Sequence, residues 1–198
     1  MTFRYFVDEP ITRGTATLSG SEAHHLLHVM RAKPGDEVVL FDGSGEEFPA
    51  QVETLRRSEA DLFVLGRRRV DRELPAPLIL GGALPKGDRQ RWLVEKAVEL
   101  GVSRLVPLDT ARSVAQPDAK AVQRLGRAVI EASKQCGRNR LMEIGLPTVW
   151  REFVASAGEA RIRLVAHPSS QSRPRMLHSV PPGPVWLAVG PEGGLSEE

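Results

Sequence analysis

The residues best placed to do chemistry form a glycine-rich stretch near the end of the sequence, Gly190-Pro191-Glu192-Gly193-Gly194. Three glycines in five residues let the backbone approach a ligand closely, and Pro191 stiffens the entry. Free N–H groups here, with a helix predicted to start at Ser196, suit a polar or anionic group. The same spacing also fits a tight turn between a strand and a helix. The stretch matches neither the phosphate loop nor the dinucleotide fingerprint, which disfavours both classes of ligand.

Two other groups of reactive side chains have a simpler structural interpretation. His24 and His28 are one helical turn apart, a spacing that suits zinc, but no third ligand of suitable spacing follows. We therefore expect polar surface histidines and no bound metal. The single cysteine, Cys136, lies in an apolar helical stripe, which predicts a buried structural thiol. One cysteine per chain also fits a reducing, cytoplasmic setting.

A basic segment between Arg112 and Arg140 could bind phosphate. It contains seven Lys or Arg residues and two acidic residues, a net charge of +5 that is typical of a nucleic-acid footprint. A solvated helix face would have the same composition, so the charge alone leaves both interpretations open. Aromatic residues make up 5% of the chain, too few for a broad base-stacking surface.

The elements that would position these residues fall into two regions. The 198 residues are 41% apolar and 26% charged, an ordinary globular composition, with no apolar run of membrane-spanning length and no secretory signal at the start. Residues 1–72 show short strand patterns and one helix, opened by a capping box of Ser19 and Glu22, which together predict a small β-barrel. The polar stretch 66–72 marks the predicted domain boundary.

From residue 73 onward strands alternate with helices, which predicts an α/β domain with a largely parallel sheet. The first helix is expected to be capped by Asp88, to bury Leu93, Ala97 and Leu100, and to end at Gly101. Ligands of such a sheet bind outside the carboxyl ends of its strands. Three loops qualify, at residues 85–88, 166–169 and 190–194.

Several segments, in order along the chain, resemble a single enzyme family. They are HLLHVMR at 25–31 with PGD at 34–36, PKGD at 85–88, EKAVELGV at 95–102, ASKQCGR at 132–138 and VGPEGG at 189–194. The family is that of the bacterial 16S ribosomal RNA uracil-N3-methyltransferases (the RsmE type) of the SPOUT superfamily. Each motif alone is modest, but the ordered set spans nearly the whole chain.

The resemblance implies an N-terminal PUA-like barrel at residues 1–72 and a C-terminal SPOUT α/β domain at 73–198, tied in a deep trefoil knot. It implies a homodimer, S-adenosylmethionine as methyl donor, and N3 of a uridine in small-subunit 16S rRNA as acceptor. Because N3 lies on the Watson–Crick edge, that uridine must be unpaired or extruded. The family's knot-closing segment has no counterpart before Glu198, so we expect an incomplete methyltransferase domain.

The resemblance also implies roles for individual residues. Glu192 is the candidate base for the N3 proton, and Arg138 the candidate for stabilising charge on the reacting uracil. The alternatives are that Glu192 holds its own loop and that Arg138 forms a salt bridge. The residues expected to bind the donor are Ala166, His167, Val189, Gly190, Pro191, Glu192, Gly193 and Gly194. Those expected to bind RNA are Arg4, Arg31, Lys86, Arg112, Arg124, Arg138 and Arg140.

Other functions remain open at this point. A related knotted methyltransferase could act on a ribose 2′-hydroxyl or on another base, although the order of the motifs disfavours it. A non-catalytic RNA-binding protein would also combine a barrel with a basic α/β platform. A relative that shares the fold alone could act on a small molecule, since a fold does not determine a function.

Overall fold

The computed structural model describes residues 3–12, 14–110, 119–158, 160, 162–166 and 183–191. The chain forms two compact units, the first made of Met1–Glu73 with Ser133–Leu141, and the second of Leu74–Ala132 with Met142–Glu198. The sequence-based division assigned Ser133–Leu141 to the second domain, whereas its packing groups it with the first unit.

The first unit is built on a six-stranded sheet in the order β1-β3-β4-β5-β2, with β6 paired to β4. Strand β1 runs parallel to β3, and the other pairs are antiparallel. The sequence patterns at residues 3–7, 38–41, 48–52 and 61–65 predict four strands, which the structure confirms as β1, β3, β4 and β5, whereas β2 and β6 were not predicted. The bounds are β1 (Arg4–Phe6), β2 (Thr15–Leu18), β3 (Glu37–Phe41), β4 (Glu46–Leu55), β5 (Ala60–Val64) and β6 (Arg68–Arg69).

Alternating apolar residues bury one face of this sheet. Val38 and Leu40 on β3 face the core, as do Phe48, Ala50 and Val52 on β4. This is the period of two that a half-buried strand requires. The alternation therefore explains why these short segments pair as a sheet around one core.

The helix of the first unit departs from the predicted capping box. Helix α1 (Gly20–His24) runs directly into a π-helical turn at His25–Val29. Ser19 occupies the N-cap position but makes no side-chain cap bond. Glu22 instead accepts hydrogen bonds from the Phe6 backbone N–H at 3.1 Å and from Lys134 Nζ at 2.8 Å. The predicted box is wrong because these partners, one of them a buried cation, occupy the carboxylate.

The second unit contains a sheet in the order β10-β8-β7-β12-β11, with β9 paired to β8, and every pair is parallel. This confirms the predicted α/β architecture. None of the helices in the described part of the chain is long and apolar enough to cross a membrane. The bounds are β7 (Leu78–Gly82), α2 (Arg89–Glu99), β8 (Arg104–Asp109), α3 (Ala119–Cys136), β9 (Glu143–Ile144), β10 (Thr148–Val149), α4 (Trp150–Ser156), β11 (Ile162–Ala166) and β12 (Val185–Val189).

Helix α2 buries a face that shares Ala97 with the predicted stripe but is centred on Val94 and Val98. Val94, Ala97 and Val98 are buried, whereas Leu100 is 71% exposed. Asp88 precedes the helix but makes no side-chain cap bond, so the predicted cap is wrong. Gly101 follows the helix with φ +85, as predicted for a C-terminal glycine. The turn that this glycine makes ends the helix just after Leu100, which is left at the surface.

The close packing of α4 on the sheet requires a glycine in β7. A Cβ at Gly81 would lie 2.7 Å from the Cε atoms of Phe153. Phe153 is 4% exposed and its ring centroid is 4.9 Å from that of Trp186 on β12. The ring is therefore held on both sides and has little room to shift.

We predict that Gly81→Ala lowers the free energy of unfolding by about 1–3 kcal/mol, the usual range for overpacking a core. Gly82→Ala is the matched control, because a Cβ at Gly82 meets no atom within 4 Å. Urea denaturation followed by circular dichroism measures both. Equal losses for the two variants would contradict the packing argument.

Candidate functional site

The carboxyl ends of three adjacent strands meet at one edge of the parallel sheet. The register pairs Val189 of β12 with Gly82 of β7 on one side and with Ala166 of β11 on the other. The carboxyl ends of β7, β11 and β12 therefore lie side by side. Each of the three loops that sequence spacing singled out as candidate ligand loops starts at or shortly after one of these ends.

A cavity of about 390 Å³ opens at this edge. It lies between the loop and helix that follow β7 and the first residues after β12. Its size falls in the range of small-molecule sites. The lining residues are Ala83, Leu84, Pro85, Lys86, Arg89, Trp92, Leu93, Gly190 and Pro191.

The lining combines three kinds of surface. Leu84 is buried and Leu93 is half-buried, so the interior is apolar. Trp92 is 62% exposed and offers an aromatic face. Lys86 and Arg89 are exposed cations. Such a cavity suits a ligand that has a flat ring and an anionic group.

Several lining residues were missed by sequence reasoning. Trp92 and Arg89 lie in the first turn of α2, directly after the predicted loop at 85–88. The signal for them was their position, because the first turn of a helix that follows a parallel strand lies next to the carboxyl edge. The sequence-based prediction covered only the loop at 85–88 and not the first turn of the helix that follows it.

The predicted donor-binding residues divide between described and undescribed parts of the chain. Gly190 and Pro191 line the cavity, and Val189 and Ala166 end their strands at the same edge. The other predicted residues lie outside the described residues: His167, Glu192, Gly193, Gly194 and, among the RNA-binding candidates, Arg112.

Arg138 is buried in the first unit, at 3% exposure. Its Nε and Nη2 donate to the two carboxylate oxygens of Glu73 at 3.1 and 2.5 Å. This two-pronged geometry is the strongest form of an Arg–carboxylate pair. The structure thus places Arg138 in the salt bridge that sequence reasoning gave as the alternative to a catalytic or RNA-binding role.

Arg4 also forms its hydrogen bonds within the first unit. Its Nη1 donates to Glu47 at 3.1 Å and its Nη2 donates to the Asn139 side chain at 2.5 Å. Arg72 donates to the same Glu47 carboxylate at 3.2 Å and to the carbonyl of Gly137 at 2.9 Å. Burial alone would raise the pKa of Glu47, but the hydrogen bonds from Arg4 and Arg72 outweigh it and lower that pKa.

The remaining predicted RNA contacts are exposed. Arg124 and Arg140 are exposed in the described structure, and Lys86 borders the cavity. Arg31 is exposed and has φ +53, a conformation that is costly for any residue other than glycine. It follows the π-helical turn at His25–Val29, and both features concentrate at functional sites. This supports the assignment of a functional role to Arg31.

Within the described residues, no three metal-ligating side chains gather at one place. The His24 and His28 rings lie 4.9 Å apart, centroid to centroid, on the exposed face of the helix. Cys136 is half-buried.

Comparison with known proteins defines the family. Residues 72–198 match the family model described as an RNA methyltransferase domain. The chain belongs to this family of RNA methyltransferases. Residues 18–65 match a second model, the RNA methyltransferase PUA domain, so a PUA-like region precedes the methyltransferase domain.

Individual relatives agree with this assignment. The chain is 28% identical to ribosomal RNA small subunit methyltransferase E of Bacillus subtilis, over 98% of this chain and 82% of that protein. A Legionella pneumophila protein described as a methyltransferase, solved with the cofactor SAM, is 30% identical with a TM-score of 0.89, covering 100% of this chain and 83% of its own. The ribosomal RNA small subunit methyltransferase E of Neisseria gonorrhoeae, bound to S-adenosylmethionine, is 27% identical with a TM-score of 0.83 and the same coverage.

We predict that Arg138→Ala lowers the free energy of unfolding by about 3 kcal/mol, because it leaves the Glu73 carboxylate partly buried and without its cation. Arg140→Ala is the matched control, since Arg140 is exposed and only two residues away. We expect that control to change stability by less than about 0.5 kcal/mol. Thermal and urea denaturation provide the measurement, and two equally mild variants would contradict the structural role of Arg138.

Proposed function

We propose that this chain transfers the methyl group of S-adenosylmethionine to N3 of a uridine in the 16S rRNA of the small ribosomal subunit. The cavity at the carboxyl edge of the parallel sheet carries the proposal, because it lies within the matched methyltransferase domain. The relatives named for small-subunit rRNA methylation, and those solved with the donor bound, support the choice of substrates. Such a substrate implies that the protein works in the cytoplasm.

The lining residues fit the donor. Leu84 and Leu93 supply apolar walls for a purine ring, and Trp92 supplies an aromatic one. The backbone of Gly190 can approach the ligand closely because this residue has no side chain. When bound, S-adenosylmethionine supplies a methyl group that its sulfonium already activates. The protein must therefore orient the donor and the acceptor and exclude water.

The acceptor imposes a second requirement. Uracil N3 carries a proton at neutral pH and lies on the pairing edge, so the nucleotide must be extruded and deprotonated. Lys86 and Arg89, at the cavity, suit the phosphates that flank an extruded nucleotide. We assign the proton-accepting role to Glu192. Arg138, paired with Glu73, acts as a positioning residue for the segment that carries Arg140.

The proposal includes a trefoil knot in the methyltransferase domain and a homodimer. Exposed apolar side chains in the second unit support an interface between two copies. Leu146 is 79% exposed, Leu100 71% and Val165 52%. A second copy of the chain would cover such side chains where they form part of a contiguous patch, and this is the role that we propose for them.

Donor binding is expected to quench the fluorescence of Trp92. The other two tryptophans, Trp150 and Trp186, pack beside Phe153. Trp92→Phe should therefore remove most of the signal change upon titration with S-adenosylmethionine, while Trp150→Phe should retain it. Calorimetry on the same variants shows whether a variant without a fluorescence change still binds S-adenosylmethionine. A signal that survives in Trp92→Phe would place the donor elsewhere.

Methyl transfer is tested with small subunits whose rRNA lacks the modification. We expect one methyl group per subunit, located at N3 of a uridine by mass spectrometry of digested RNA. Lys86→Ala should lower the rate by roughly tenfold, as removal of one phosphate interaction of about 1.4 kcal/mol predicts. A methyl group on a ribose 2′-hydroxyl would support the related knotted enzyme. Donor binding without transfer to any RNA would contradict the proposal.

A further inference from the structure

A second cavity, of about 430 Å³, lies in the first unit and shares no residue with the site described above. Part of its wall is apolar, formed by Ile11, Phe48 and Val64. Phe48 is 3% exposed and belongs to the core of the unit, so this wall is firmly held. A cavity of this size accommodates a small ligand or a single unit of a polymer.

Two carboxylates line the same cavity, those of Asp42 and Glu46. Asp42 accepts hydrogen bonds from the backbone N–H groups of Ile11 at 2.9 Å and Ser44 at 3.0 Å. Burial alone would raise the pKa of Asp42, but these hydrogen bonds outweigh it and hold that pKa below its usual value. Each oxygen of an ionised carboxylate can accept more than one donor. The cavity therefore offers acceptors to a ligand that presents N–H groups.

Cations border these acceptors. Arg67 lines the cavity and forms an ion pair with Glu46. Strand β6 lies beside the start of β4, with Arg69 opposite Glu46 and Arg68 opposite Glu47. All three arginines are exposed. Because successive residues of a strand point to opposite faces, Arg69 lies on the face of Glu46, whereas Arg68 lies on the other face. Acceptors within the cavity and exposed cations next to it complement a nucleotide, whose base carries donors and whose phosphates carry negative charge.

We propose that this cavity binds one unpaired nucleotide of an RNA strand whose base carries an amino group, such as cytosine or adenine. The carboxylates accept the amino protons, the apolar wall covers the face of the base, and the arginines contact the flanking phosphates. Uracil is disfavoured because it presents carbonyl oxygens where the amino group would be. The inference rests on the proposed function, which makes RNA the substrate, but it concerns a nucleotide other than the methylated uridine.

Other ligand classes fit less well. A small free anion would be repelled by Asp42 and Glu46, and a small free cation would be repelled by Arg67 and Arg69 beside them. An apolar ligand would leave the ionised carboxylate of Asp42 desolvated without any gain in hydrogen bonds. A nucleotide within an RNA strand offers an amino group to the carboxylates, a flat base to the apolar wall and phosphates to the arginines.

The test compares oligocytidylate with oligouridylate of equal length, which present the same number of phosphates. Fluorescence anisotropy with the full chain measures both affinities over a series of salt concentrations. We expect oligocytidylate to bind at least about fivefold more tightly, the effect of one net hydrogen bond. Equal affinities for the two strands would overturn the proposal.

Two substitutions test whether the cavity causes the preference. Gly66→Phe places a ring at the cavity, where a Cβ would meet no atom within 4 Å, so it should fill the site without backbone strain. We expect it to remove the preference while the melting temperature stays unchanged. Glu46→Gln should reduce the preference, since an amide offers one acceptor oxygen in place of two. A preference that persists in Gly66→Phe would overturn the proposal.

The arginines are tested separately. The variant Arg69→Ala should weaken both strands equally and lower the salt slope by about 0.7, the value for one phosphate that is no longer neutralised. Arg57→Ala is the matched control, because Arg57 is exposed and lies beyond the other end of β4, roughly 30 Å along the strand from Glu46. An equal effect of the control would overturn the assignment of the arginines to phosphate. Retained cytidine preference in a protein that fails to methylate small-subunit RNA would support this site and overturn the proposed function.

Discussion

Buried ionic contacts that fasten Ser133–Leu141 to the rest of the first unit are the constraint on which the other assignments depend. Arg138 pairs with Glu73 and Lys134 pairs with Glu22. Arg4, which pairs with Glu47, donates a hydrogen bond to Asn139 of the segment. The charged side chains of all three pairs are less than one-fifth exposed. Removing such charges from water costs several kcal/mol per ion unless each finds its partner. Loss of Arg138 or Lys134 would therefore leave its partner as a buried charge without a counter-ion. Two arginines that look available for RNA in the sequence are occupied by this network.

Because of the same network, neighbouring residues of one short stretch differ in role: some hold the stretch in place and others are exposed at the surface. Arg138 and Asn139 face inward, whereas Arg140 is exposed. Alternation of this kind gives neighbouring residues of similar chemistry different functions. The cavity in the second unit shows the same principle at the edge of its sheet. There, buried Val94 and Val98 anchor α2 while exposed Arg89 and Trp92 border the ligand space.

Periodicity predicted most of the sheet strands because their burial is local and regular. Val38 and Leu40, two positions apart on β3, are both buried, and β7 contains no polar side chain over residues 78–82. The short strands β2 and β6 were missed because β2 has a single fully buried residue and β6 consists of two exposed arginines. The capping predictions failed at Ser19 and Asp88 for a different reason. A cap is decided by competing partners, and Lys134, the competitor for Glu22, lies 112 residues away in the chain.

The sequence predicted where the candidate site lies, but it did not predict which side chains line it. Parallel strands bring their carboxyl ends together, so the loops after β7, β11 and β12 could be named from order alone. Which face of α2 turns toward the cavity depends on how the helix rolls against the sheet. Of the predicted stripe of Leu93, Ala97 and Leu100, only Ala97 is fully buried. Trp92 and Arg89 were overlooked because the prediction considered the loop at 85–88 and not the helix turn that follows it. The pairing of Arg138 with Glu73 depends on packing between residues 65 positions apart.

The first unit is assembled from two stretches that are distant in sequence, and this affects how the chain folds during translation. Glu22, Glu47 and Glu73 emerge from the ribosome well before Lys134, Arg138 and Asn139, and contacts so remote in sequence form slowly. During translation the early stretch, which already contains all six strands, must therefore keep these acidic side chains hydrated until residue 141 is made. The nascent chain cannot complete its first folding unit before about half of the second has been synthesised.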